Sequence, residues 1–150
     1  MSNTAFNVYS NQKLEPYYLT PAPAEMTIKL PASVSYARGT LLGELTASPG
    51  TFSAYASGNT DGSQFVKALL VFDTTTDASG NCFVAAVAPY GIVASSPGTT
   101  AYFRGAFRSE DIKGAAGTGT GPGTLDANAV AGPYMKIVSG STTAGVVVFL

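Results

Sequence analysis

Apolar and polar positions alternate most clearly over residues 101–108. Ala101, Phe103, Gly105 and Phe107 fall on one face, and Tyr102, Arg104, Ala106 and Arg108 on the other. A repeat of two is the repeat of a β-strand, whose successive side chains point to opposite sides. The same repeat sets Leu41, Gly43 and Leu45 against Leu42, Glu44 and Thr46, and Phe52, Ala54 and Ala56 against Ser53 and Tyr55. Met26, Ile28 and Leu30 alternate with Thr27 and Lys29. Residues 65–72 are apolar almost throughout, broken by Lys67, which predicts a strand covered on both faces. Residues 81–87, 135–138 and 145–150 complete the predicted strands. Turn chemistry separates them at Ser48-Pro49-Gly50, Asn59 to Gly62, Ser79-Gly80-Asn81 and Pro97-Gly98. Residues 74–81 read as a turn-rich connection and 91–100 as a loop. One short helix is expected over 124–130, capped by Thr124, with Asp126 in its first turn and Gly132-Pro133 as its stop.

These elements predict a mainly β (β-rich α+β) fold, a compact barrel-like or sandwich domain with at most one or two short helices. It spans residues 26–150 and is preceded by an extended N-terminal arm over 1–25. The arm fits neither the helical nor the strand repeat. It carries Pro16, Pro21 and Pro23, which favour an extended, semi-stiff chain. Phe6, Tyr9, Leu14, Tyr17, Tyr18 and Leu19 are spaced along it, so it is unlike a purely solvating tail, which is poor in aromatics. Such an arm either docks along a partner, commonly by adding a strand to a sheet edge, or folds back on its own domain.

Charge changes the picture. Only 11% of the 150 residues are charged, against about one quarter in ordinary domains, and the formal net charge is -1. Eight scattered basic residues do not make a phosphate-binding surface, so nucleic acid is not expected as a partner. So weakly charged a surface suits a protein packed against neighbours.

The chemistry of catalysis is sparse. There is no histidine, and the nine carboxylates are dispersed, with Glu110-Asp111 the adjacent pair. General acid–base chemistry and zinc or iron sites therefore lack their usual residues, and no enzyme, cofactor or metal is expected. The single cysteine, Cys82, lies in an apolar run and reads as a buried small hydrophobe. A calcium loop through Asp73 and Asp77 has mostly neutral hydroxyls for its other ligands and is not expected. The glycine-rich stretch 113–124 lacks the Gly-Lys-Ser/Thr ending of a phosphate loop and reads as a surface loop. No apolar run reaches the ~20 residues that span a bilayer, and the first residues lack a signal-peptide pattern. Synthesis in a cytoplasm and no membrane partner are the expectations.

The order Arg38-Gly39-Thr40, Leu42-Gly43, an aromatic strand through Phe52 and Tyr55, Asp61-Gly62-Ser63, then Ala68-Leu69-Leu70-Val71 resembles the head decoration proteins of tailed phages, the lambda type. Residues 101–112 (AYFRGAFRSEDI) resemble a later strand of the same family, so the likeness runs over about residues 33–112. The resemblance implies a virion protein on the outer surface of the mature capsid. Its partners would be the major capsid protein of the same phage and its own copies, as a homotrimer at three-fold positions that clamps adjacent capsomers. It also implies that the arm, with Phe6, Tyr9, Leu14, Tyr17, Tyr18 and Leu19, makes the capsid contact. Where the family has a short late helical segment, this chain has its glycine-rich stretch. A different reading of the same residues is a carbohydrate-binding or adhesion module of a fibre or tail, which the eight tyrosines allow and the absence of Trp disfavours. A small hydrolase without histidine is a third.

Overall fold

The computed structural model describes residues 23–84, 94–108, 111–112, 135–140 and 145–149. The expected short helix over 124–130 and the glycine-rich stretch lie outside them. The described residues form antiparallel β structure without an α-helix, so the fold is mainly β as expected.

Seven strands make the larger sheet: β1 (Ala24–Ile28), β3 (Leu41–Glu44), β4 (Phe52–Ala54), β5 (Ala68–Leu70), β9 (Thr99–Arg108), β10 (Met135–Gly140) and β11 (Gly145–Phe149). Their order is β10-β11-β9-β5-β3-β4, with β1 also paired to β9. β1 starts at Ala24, two residues before the predicted start of the domain. The smaller sheet runs β2-β6-β7-β8, from β2 (Ser35–Tyr36), β6 (Thr74–Thr76), β7 (Cys82–Val84) and β8 (Ala94–Ser96). The larger sheet is open and not a closed barrel. It meets itself at one parallel bridge, Lys29 to Thr51.

The middle strands of the larger sheet are buried on both faces. On one side Leu41, Tyr55, Val66, Leu69, Val71, Tyr102, Phe107 and Ile112 form one core. On the other, Ile28, Leu30, Leu42, Phe52, Ala68, Leu70 and Ala101 pack with Cys82 of the smaller sheet. Adjacent residues on β3 and β5 therefore serve different cores, as the two-residue repeat requires. Leu41 and Leu42 are both fully buried, so β3 is not the half-buried strand its alternation predicts. Phe52 and Phe103 meet edge to face on the second side, with ring centroids 5.5 Å apart.

Three expectations change. Residues 74–76 form strand β6 and not a turn-rich connection. Their β-branched side chains suit a strand, and the hydroxyls are bonded rather than solvated: Thr74 Oγ1 lies 3.0 Å from Thr99 Oγ1, and Thr76 Oγ1 donates to Pro31 O at 2.6 Å. These bonds hold the smaller sheet against the larger. Within 91–100, Ala94–Ser96 pair with β7, and β9 already begins at Thr99. The predicted strand over 65–72 contracts to Ala68–Leu70, and Phe65 is exposed.

The faces of β9 also differ from strict alternation. Tyr102 and Phe107 share one core, with ring centroids 5.0 Å apart, although they stand five residues apart. The pairing with β1 passes over Phe103, with Ala24 opposite Arg104 and Glu25 opposite Tyr102, and an extra residue of this kind exchanges the two faces partway along a strand; Gly105, just beyond it, has φ +143°. A Cβ there would come within 2.9 Å of the Phe107 ring. Gly105→Ala is expected to destabilise the protein by about 1–3 kcal/mol. Urea unfolding measures this, and an unchanged midpoint would mean that the backbone at 105 is not constrained.

Candidate functional site

Surfaces for partners sit at the margins of this double core. β1 has one strand partner among the described residues, β9, in the register Met26 to Ala101 and Ile28 to Thr99. Its residues 24–27 are exposed, Met26 at 58%, and only Ile28 enters the core. β1 is thus held at its C-terminal end. There Ile28 is buried, and Lys29 N–H donates to Gly50 O while Lys29 O accepts from Phe52 N–H. Its N-terminal end passes Gly105, where Pro23 Cα comes within 3.6 Å of the position a Cβ would take. The sequence-predicted contact residues Phe6, Tyr9, Leu14, Tyr17, Tyr18 and Leu19 lie outside the described residues. What is described is the strand that follows them in the chain, exposed at the sheet margin.

A second surface lies where the β3–β4 turn meets the loop before β5. Glu44, Leu45, Thr46, Pro49, Gly62, Phe65 and Lys67 line a groove of about 300 Å³. Its walls are tied together. Thr46 N–H donates to Asp61 O at 2.8 Å. The Glu44 carboxylate accepts from Gly50 N–H at 2.9 Å and from Lys67 Nζ at 3.1 Å. Those two bonds, the Gly50 amide first, hold the Glu44 carboxyl below its ordinary pKa. The loop rests directly on β3 because position 43 is glycine: a Cβ there would sit 2.6 Å from both Phe65 O and Ser63 Cα. Within the loop, Asp61 accepts from the Ser63 hydroxyl and amide, and Asn59 Nδ2 donates to Ser63 Oγ. On this braced loop Phe65 is 55% exposed. The continuous apolar run hid this residue, because a run alone does not say where a strand begins.

The carboxylates around β6 have structural partners. Asp73 accepts from Arg38 N–H, and Asp77 accepts from Ser79 N–H, Asn81 N–H and Asn81 Nδ2. Asp77 closes the β6–β7 turn, whereas Asp73 ties the start of β6 to the β2–β3 connection 35 residues earlier. No group of three or more His, Cys, Asp or Glu side chains converges among the described residues. Cys82 is buried, and burial pushes its thiol pKa up, which disfavours the reactive thiolate. Arg38 Nη1 is buried and meets no acceptor among the described residues.

No family model, no curated protein and no solved structure matches this chain.

Two outcomes follow from the bonds around these surfaces. A lowered carboxylate pKa adds stability above the unfolded pKa, and that stability is lost as pH falls through the folded pKa. Glu44→Gln is therefore expected to cost stability at neutral pH, below about 1 kcal/mol for so exposed a pair, and to cost nothing in acid below the lowered pKa. Urea midpoints across pH test this, and a pH-independent difference would contradict it. Arg38→Met removes an unmatched buried donor and is expected to raise stability by about 1 kcal/mol. A lower melting temperature would show that the guanidinium has a stabilising partner.

Proposed function

We propose that this chain is a structural virion protein that binds the outer surface of a mature phage capsid and stabilises the shell by clamping adjacent capsomers. It acts as a homotrimer at three-fold positions, with the major capsid protein as partner. The observation that carries this reading is the root of the arm. A strand exposed along residues 24–27, at the margin of the sheet, directly follows residues 1–23, which bear aromatic and proline side chains. Strand addition is the means by which extended segments of that kind bind a sheet. The order of residues shared with decoration proteins over about 33–112 supports the same reading, as does the low surface charge.

The physics of the role is simple. Symmetric association buries uncharged surface between copies. A protein that binds only the mature shell stabilises it by mass action. Three arms on one trimer bind with avidity when their spacing matches the lattice. No catalytic step is invoked.

Mixing the purified protein with expanded, undecorated capsids of its own phage is expected to give stoichiometric co-sedimentation. Failure to sediment with them would overturn the proposal. A form lacking residues 1–23 keeps β1 and is expected to fold, while its attachment weakens by about tenfold or more. If that form attaches as tightly as the full chain, the arm has no part in the contact.

A further inference from the structure

The groove beside Phe65 has features that a role on a capsid does not use. Phe65 is a large apolar side chain held in water, and its backbone is pinned on both sides. Phe65 N–H donates to Gly62 O at 3.2 Å, and Lys67 N–H donates to Leu42 O at 2.8 Å. Ordering this aromatic face on binding therefore costs little, which is the condition for a preorganised contact. Leu45 and Pro49 continue the apolar surface, and Thr46, Glu44 and Lys67 supply polar groups beside it.

The polar groups select the ligand. Glu44 and Lys67 neutralise each other at 3.1 Å, so the groove carries no net charge and attracts neither anions nor cations strongly. Yet the pair still offers acceptor lone pairs on the carboxylate and further N–H donors on the ammonium, and Thr46 offers both. A neutral ligand with one C–H-rich face and a rim of hydroxyls matches an aromatic face flanked by such donors and acceptors. A volume of about 300 Å³ is at the small end of ligand sites, of the order of one or two sugar rings.

We propose that the groove lined by Leu45, Thr46, Pro49, Phe65 and the Glu44–Lys67 pair is a binding site for a neutral saccharide, with one sugar face stacked on the Phe65 ring. The site is independent of the capsid reading: it uses neither the arm nor β1. A particle carrying many copies would present this weak site multivalently, which turns millimolar affinity into useful attachment.

The test uses the full chain with free D-glucose, D-galactose, N-acetyl-D-glucosamine and L-rhamnose, each titrated to about 50 mM while amide chemical shifts are followed. At least one sugar is expected to shift amides within residues 44–50 and 61–67. Phe65→Leu keeps the apolar bulk but removes the π face, and is expected to weaken that binding about fivefold or more. Phe65→Trp is expected to retain it. The amide spectrum of each variant reports whether it is folded. Absence of shifts with all four sugars, shifts confined to other residues, or undiminished binding by Phe65→Leu would overturn the proposal.

Discussion

Burial of the middle strands on both faces is the constraint from which the rest of the structure follows. Leu41 and Leu42, and Leu69 and Leu70, are neighbours in sequence that enter opposite cores, and all four are fully buried. Each contributes about 1.5–3 kcal/mol relative to an exposed position. A strand in that setting has no face left for a partner. One core needs a lid, which the smaller sheet supplies with Cys82 and the flanking Tyr36. The other is completed by residues from loops and strand ends, among them Tyr55, Val66 and Ile112. Surface open to partners is thereby pushed to the margins, to β1 and to the loops around the groove.

Much of the fold was legible in the sequence where side-chain chemistry and strand period agree. Residues 41–46, 52–56 and 101–108 carry the period, and Ser79-Gly80-Asn81 announces the β6–β7 turn, with Gly80 at φ +82°. The final pair of strands is present as β10 and β11. The period failed where something other than burial decides. Thr74–Thr76 read as polar connection, but the hydroxyls of Thr74 and Thr76 find partners 25 and 45 residues away. Ala94–Ser96 carry little hydrophobic signal, and their strand exists because β7 offers an edge to pair with. The exchange of faces in β9 accompanies an extra residue at Phe103 opposite β1, which alternation alone does not reveal.

The candidate surfaces were legible unequally. Residues 1–25 stood out by composition, and the structure adds that the strand starting at Ala24 is exposed. The groove did not stand out, because Glu44, Gly43 and Lys67 come together only after β3 and the loop before β5 pair off. Phe65 illustrates the difficulty: an aromatic at the start of an apolar run looks like core until the strand is found to begin three residues later. The stabilising bonds and the exposed groups are also intermixed here. Glu44 braces the turn through Gly50 while presenting the rest of its carboxylate to the groove.

The proposition underlying the proposed role is that strand pairing with the shell runs from the segment before β1 onto the open edge of β1. Amide hydrogen exchange resolved over Ala24–Ile28, compared between free protein and protein attached to shells, addresses it directly. The amides of β1 that do not bond to β9 should exchange quickly in the free protein and become protected on the shell. Equal exchange in the two states, with protection arising elsewhere, would contradict it.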